Sequence, residues 1–401
     1  MTAPVLHSLD EELESELRNN ILAWWMEHGP DPVNGGFRGH IDRYNREVKG
    51  AGKGSVLNAR ILWTFSAAYR MFGELSYLET ARLAWTFFSD HFIDTAYGGV
   101  YWELDPSGRV LNDRKQVYAI AFAIYGLSEF HLATGNREAL ELAKQMFGEI
   151  EEHALDRQRN GYTEALSRDW KPLADLRLSE KDQNESKTMN THLHILEAYT
   201  NLFRAWPDEG VGNAIRNLSG LFTGKFIDPE TFHLRLFFDD GWTLRSSLIS
   251  YGHDIECSWL LYEAATVTGD PALMEKTGKL AVAMAGENLA GLDSDGGLFY
   301  EFFPEEGRLD KDKHWWPQAE ALVGYYNAYE LSGNEVFAAK TRSSWDFIRG
   351  YLIDREYGEW FWSTDMNGVP STEREKAGFW KCPYHNSRAC MELIRRIREP
   401  G

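Results

Sequence analysis

Apolar residues recur along this chain at helical spacing, in pairs of segments joined by short turns, and the pairs themselves recur. The periodicity predicts helices over 8–28, 55–71, 75–92, 115–134, 137–154, 186–205, 211–226, 252–268, 271–289, 316–332, 335–353 and 384–398. Ser8 with Glu11 reads as a capping box for the first, and Ser55 as the N-cap of the second. Glycine-led, strand-like stretches follow the pairs. They lie at 35–44, at 98–108 with a turn at Pro106-Ser107-Gly108, at 161–166, at 232–237 with a turn at Asp240-Gly241, at 297–301 and at 358–362.

The landmark glycines are Gly36, Gly99, Gly161, Gly297 and Gly358, and the interval from Gly161 to Gly297 holds two units. A helix–helix–hairpin unit therefore repeats roughly every 60–70 residues, six times, which marks a repeat architecture. Each amphipathic pair must bury its inner face on its neighbours. Twelve helices without a long linker or polar capping units predict an all-α, closed (α/α)6 barrel, a single domain over 1–401; an open solenoid is the alternative. The apolar run 118–127 fits an inner helix packed on both sides. In such a ring, polar residues on inner helices converge at one mouth.

Composition narrows the partners. The net charge of −19 and the lack of a basic run argue against nucleic acid and against an anionic membrane. Aromatic content is 14% with 15 Trp, more than packing alone demands, and this fits a sugar-binding surface. Cys257, Cys382 and Cys390 are an odd, unclustered set that argues against disulfides and a zinc ribbon. The acidic N-terminus carries no signal-peptide pattern, and 118–127 is too short to span a bilayer. A cytoplasmic, soluble monomer is expected.

Polar residues on the inner helices carry the candidate chemistry. His253 and Glu256 are three apart and share a helix face, as do Asn190, His194 and Glu197. A carboxylate beside an imidazole fixes its tautomer and raises its basicity. A satisfied core histidine is the competing explanation for one such pair; two on two helices are harder to explain as packing. His192 faces away and reads as structural. Arg60 is a cation among apolar neighbours, either reaching for solvent or anchoring an oxyanion. Trp315 and Trp316, and Trp380, stand at helix starts. His385 follows Pro383 at another start, where the helix dipole disfavours its charged form.

Zinc on His194, His253 and His385 with Glu256 is conceivable, but no metal-ligand spacing motif accompanies them. No phosphate loop or nucleophile elbow is present. Three imidazoles near their pKa can move protons. On a sugar, they can assist ring opening and remove and return the proton at carbon 2, with Arg60 stabilising the enediolate. The outcome is epimerisation or aldose–ketose isomerisation. A glycoside hydrolase would want two carboxylates instead.

The blocks 57–60, 187–199, 252–256, 314–320 and 379–385 resemble the cellobiose 2-epimerases of the N-acylglucosamine 2-epimerase superfamily, and the resemblance covers nearly the whole chain. It implies an (α/α)6 barrel and reversible epimerisation at carbon 2 of the reducing-end glucose of β-1,4-linked disaccharides: cellobiose to glucosyl-mannose, lactose to epilactose. It implies no cofactor and no metal. By position, it makes His253 and His385 the paired acid/base residues, His194 the aid to ring opening and proton relay, and Glu256 the orienter of His253. Arg60, Tyr118 and Asn190 would contact the reacting end, Trp316 and Trp380 would stack on sugar rings, and Asp182 and Glu301 would contact hydroxyls. N-acylglucosamine 2-epimerase and monosaccharide isomerase activities are the related alternatives.

Overall fold

The computed structural model describes residues 3–399. Its helices are α1 (Leu9–Glu16), α2 (Ala23–His28), α3 (Ser55–Phe72), α4 (Leu75–Phe87), α5 (Val117–Thr134), α6 (Arg137–Glu149), α7 (Met189–Ala205), α8 (Glu209–Leu221), α9 (Tyr251–Thr268), α10 (Pro271–Asn288), α11 (Trp315–Ser332), α12 (Glu335–Phe347) and α13 (Tyr384–Arg398). A π-helical stretch, Leu17–Leu22, joins α1 to α2, so the two run as one. The odd-numbered helices from α3 to α13 pack side by side, and α13 closes the circle on α3. The remaining helices form the outer layer of this (α/α)6 barrel. Helix α5 is long and apolar enough to cross a membrane, but the ring encloses it and most of it is buried.

The two ends of the barrel differ because their connections differ. At one end, inner helices stop at a left-handed glycine and the outer helix starts at once. Gly73, Gly135, Gly269 and Gly333 end α3, α5, α9 and α11. A left-handed residue stops a helix, and glycine adopts that conformation without a Cβ penalty. Asn136, Asp270 and Asn334 then cap the helices that follow. At the other end the chain returns through longer loops with short strands, each leading into the first turn of an inner helix. The mouth is therefore built from loops and inner-helix N-termini.

A clasp that the periodicity does not reveal holds these loops. After each outer helix an aspartate accepts backbone N–H groups: Asp31 from Val33 and Asn34, Asp94 from Ala96 and Tyr97, Asp354 from Glu356 and Tyr357. A lysine from just before the next inner helix meets it: Lys53–Asp31 at 3.0 Å, Lys115–Asp94 at 2.9 Å, Lys187–Asp156 at 2.8 Å, Lys313–Asp293 at 2.8 Å and Lys376–Asp354 at 2.6 Å. In the fourth unit Arg235 takes the lysine's part on Asp228. That unit also places Phe232 at a φ of 56°, at the left-handed position that Gly35, Gly98 and Gly358 occupy in other units. A bulky residue is strained there. The weaker sequence pattern of this unit has that backbone as its counterpart.

Three local expectations fail. Ser55 is not an N-cap: it is the first residue of α3, after Gly54, and its hydroxyl donates to Trp102 O. Ser8 sits in the left-handed region and its hydroxyl donates to His7 O, so no capping box forms. Residues 38–44 do not form a strand; Ile41 makes isolated bridges to Glu47 and Ala377 instead. The 98–108 hairpin does form, with Glu103–Leu104 antiparallel to Val110–Asn112. The predicted helices from 75 onward extend as expected, except that four outer ones finish in π-helical turns, such as Phe88–Phe92 and Ile348–Leu352.

Candidate active site

The mouth opens into a cavity of about 980 Å³. All seven residues expected at the sugar end line it: Arg60, Tyr118, Asn190, Trp316, Trp380, Asp182 and Glu301. So do His194, His253, Glu256 and His385. The inner helices α3, α5, α7, α9, α11 and α13 each contribute from their first turns, or one turn deeper.

The imidazoles are held in three different ways. His194 Nδ1 lies 2.8 Å from Glu197 Oε2, so the i, i+3 pair on α7 forms as expected. His385 Nδ1 lies 2.7 Å from Glu320 Oε1, across from α13 to α11. His253 Nδ1 lies 2.8 Å from the Ser250 hydroxyl. The expected pairing of His253 with Glu256 does not occur. Glu256 accepts instead from Arg388 Nη2 at 2.8 Å, because that guanidinium sits one turn deeper in the barrel, where the Glu256 side chain ends. His192 is structural: its Nδ1–H donates to Thr188 O and its Nε2 accepts from the Tyr162 amide.

Aromatic rings fix the layout. The Trp316 ring lies 4.7 Å from that of His253 and 5.7 Å from that of His385, between centroids. The Tyr118 ring stands 5.0 Å from His194 and 6.1 Å from Trp380. Arg60 Nη2 donates to the Tyr118 hydroxyl at 2.8 Å, and its guanidinium lies 4.0 Å over Phe122. Arg60 Nε and Asn190 Oδ1 are buried polar atoms without a protein partner among the described residues. Groups left so at a cavity wall are disposed to meet a polar ligand.

Burial pushes all three imidazoles below the usual histidine range. For His253 the charge of His194 adds to this, and for His385 the guanidinium groups of Arg60 and Arg388 do. The sequence expects a neutral His385 from the helix dipole; the ring is neutral, but burial is the larger cause. Burial also opposes ionisation of Glu197, yet Arg388 and His194 outweigh it and its carboxyl falls to about 2. Burial raises Glu256 and Glu320; Glu256 is raised further by the charge of Glu320. Farther out, burial and the charge of Asp310 push Glu301 up to about 7, and burial raises Asp182, which accepts from the Ser179 amide and hydroxyl.

Glu256, Glu320 and His385 are the one cluster of metal-binding type among the described residues. It shares Glu256 and His385 with the zinc set that the sequence makes conceivable, but not His194 or His253. Arg388 Nη2 already donates to both of its carboxylates, at 2.8 Å and 2.6 Å, so a fixed cation answers their charge. Sequence reasoning misses Arg388, Tyr384 and Ser250, and assigns no role to Glu320. Arg388 stands three residues after His385, but its carboxylate partners lie on α7, α9 and α11, where local spacing does not mark them.

A family model, N-acylglucosamine 2-epimerase, matches residues 35–389. A cellobiose 2-epimerase from Bacteroides fragilis is 51% identical over 96% of this chain and 98% of its own length. One from Ruminococcus albus is 40% identical over 96% and 98%. Among solved structures, the cellobiose 2-epimerase of Bacillus thermoamylovorans B4167 superposes with a TM-score of 0.92 at 42% identity, covering 97% of this chain and 99% of the other. A D-mannose isomerase structure shares the fold, with a TM-score of 0.84 at 21% identity and 98% and 100% coverage.

Proposed function

Since the chain belongs to the N-acylglucosamine 2-epimerase family, we propose that it epimerises carbon 2 of the reducing-end glucose in β-1,4-linked disaccharides, turning cellobiose into glucosyl-mannose and lactose into epilactose. The observation that carries the reading is the pair of imidazoles, His253 and His385, both packed beside Trp316 in one cavity with Arg60 and Tyr118. Each has Nδ1 engaged, which leaves Nε2 to face a substrate.

The chemistry follows from those placements. His194, with Glu197 behind it, relays a proton as the sugar ring opens. One imidazole of the pair then takes the carbon-2 proton, and the electrons of the C–H bond move onto the carbonyl oxygen to form an enediolate. Arg60 stabilises that oxygen; the Tyr118 hydroxyl accepts from Arg60 and so keeps its own proton for donation. Burial raises the Tyr118 phenol above its usual range, so it stays protonated. The second imidazole, protonated from solvent beforehand, returns its proton to the opposite face, which gives the 2-epimer and leaves the first imidazole carrying the proton it took. Trp316 and Trp380 offer flat faces to the C–H side of the sugar rings. Asp182 and Glu301 stand farther out and would meet hydroxyls of the second ring.

Every proton donor and acceptor in this scheme is a side chain of one chain, so a monomer without a cofactor suffices. The free, buried Cys257, Cys382 and Cys390 suit a reducing cytoplasm. Turnover of cellobiose, lactose, free mannose and N-acetylglucosamine, followed by chromatography, tests the substrate class. The expected result is glucosyl-mannose and epilactose as main products. Faster conversion of mannose to fructose, or release of monosaccharides from the disaccharides, would overturn it.

A further inference from the structure

At the floor of the site lies a guanidinium that the proton-transfer scheme does not use. Arg388 of α13 is buried and reaches four groups on three other helices and its own. Its Nη1 donates to Glu197 of α7 and to the Tyr384 hydroxyl, and its Nη2 to Glu256 of α9 and Glu320 of α11. The Tyr384 hydroxyl donates to Glu197 as well. The guanidinium plane is backed by the Trp259 ring at 4.8 Å, and Trp259 Nε1 donates to Glu320 at 3.0 Å.

Two of these carboxylates are the groups that hold His194 and His385. Glu197 Oε2 meets the first imidazole and its Oε1 meets Arg388. Glu320 Oε1 meets the second imidazole and Arg388 together. The guanidinium is thus the single cation shared by the partners of two imidazoles on different helices. Its planar fork can bridge several acceptors at once, which a lysine cannot do.

We propose that Arg388 is a positioning residue that acts through Glu197 and Glu320, fixing the orientation of His194 and His385 and tying their protonation to one charge. This rests on the epimerase reading. Burying several ions against one another is a poor source of stability, because their desolvation is so costly. A staple that merely closed α13 onto α7, α9 and α11 could be apolar. The other charged or titratable groups facing the cluster are Arg60 from α3, Tyr118 and Tyr125 from α5, and His385 and Tyr384 beside it on α13. Loss of the guanidinium removes a positive charge that opposes protonation of His194 and His385, and both imidazoles should then take up protons at higher pH.

The test uses Arg388→Met and Arg388→Lys in the full chain. With Arg388→Met, kcat should fall at least about 100-fold while KM for cellobiose changes less than about threefold, and the acid limb of kcat/KM should move up by about one pH unit. Arg388→Lys keeps the charge but not the fork; it should lose about tenfold in kcat with the acid limb in place. Histidine-labelled protein followed by nuclear magnetic resonance gives a readout free of turnover: the His385 and His194 titrations should move up in Arg388→Met only. If Arg388→Met fails to fold, the lysine variant decides alone, and wild-type kcat in it overturns the proposal. A folded Arg388→Met with an unmoved acid limb and unmoved histidine titrations also overturns it, in favour of a structural staple. Failure of the wild type to turn over any disaccharide would instead sink the epimerase reading, while the titrations would still judge Arg388.

Discussion

At the rim of the barrel Lys53 meets Asp31 and Lys376 meets Asp354, one cation to one carboxylate; similar contacts recur around the ring, with Arg168 joining Lys115 on Asp94 and Asp295 joining Asp293 on Lys313. At the centre Arg388 meets Glu197, Glu256 and Glu320, one cation to three. Both sets are buried, but their electrostatics differ. At the clasp, burial opposes ionisation of Asp31, but backbone N–H groups, Asn34 and Lys53 bring it down to about 2, fully ionised. The centre is mixed: against burial, Arg388 and His194 bring Glu197 down to about 2, while burial and the charge of neighbouring carboxylates keep Glu256 and Glu320 raised, beyond what one guanidinium offsets. Balanced pairs fix the loops; an unbalanced cluster next to imidazoles is a place where protons can be exchanged.

Breaking each side should give a different kind of loss. His385→Ala at the centre should lower kcat by roughly 100- to 10,000-fold, the usual worth of a general acid or base, with little change in the unfolding midpoint. Lys53→Met at the rim should do the reverse. It strands Asp31 in a buried site and should cost about 3 kcal/mol in denaturant unfolding, with kcat of the folded enzyme unchanged.

Smaller changes sharpen the contrast. A Cβ at Gly252 would meet the Trp316 ring at 2.5 Å, so Gly252→Ala should displace the ring packed beside both imidazoles. Alanine is the better helix former, so stability should hold, while kcat falls about 10- to 100-fold from misplacement near the chemistry. Ser250→Ala removes the side-chain partner of His253 Nδ1 and should lower kcat about tenfold. The smallest effect is in the pH profile of the unaltered protein. The folded imidazoles lie below their unfolded value of about 6.5, so as pH falls through 6.5 the unfolded chain binds protons that the folded chain does not. Stability should therefore be full above that pH and decline below it. The acid limb of kcat/KM should likewise lie below 6.5.

The barrel was legible because it repeats. Apolar periodicity and the glycines at 36, 99, 161, 297 and 358 reported a unit that tertiary packing then had to respect. The α7 pair of His194 and Glu197 was equally legible, since both partners lie on one helix and spacing alone brings them together. On α9 the same spacing misled. His253 and Glu256 share a face, but Ser250 stands nearer the ring and Arg388 claims the carboxylate. Arg388 itself was hidden because its partners come from α7, α9 and α11, and contacts across helices have no signature in local spacing. The failed cap at Ser8 has a similar origin: the chain enters that helix through a left-handed residue, so the hydroxyl turns back to His7.

The most direct measurement is deuterium content at carbon 2 of the epimer formed from lactose or cellobiose in deuterated water. Proton removal by one imidazole and return by another, both open to exchange with solvent, predicts product labelled at that carbon. Epimer that forms without label would contradict the account, because hydrogen would then be moving by a route that bypasses His253 and His385.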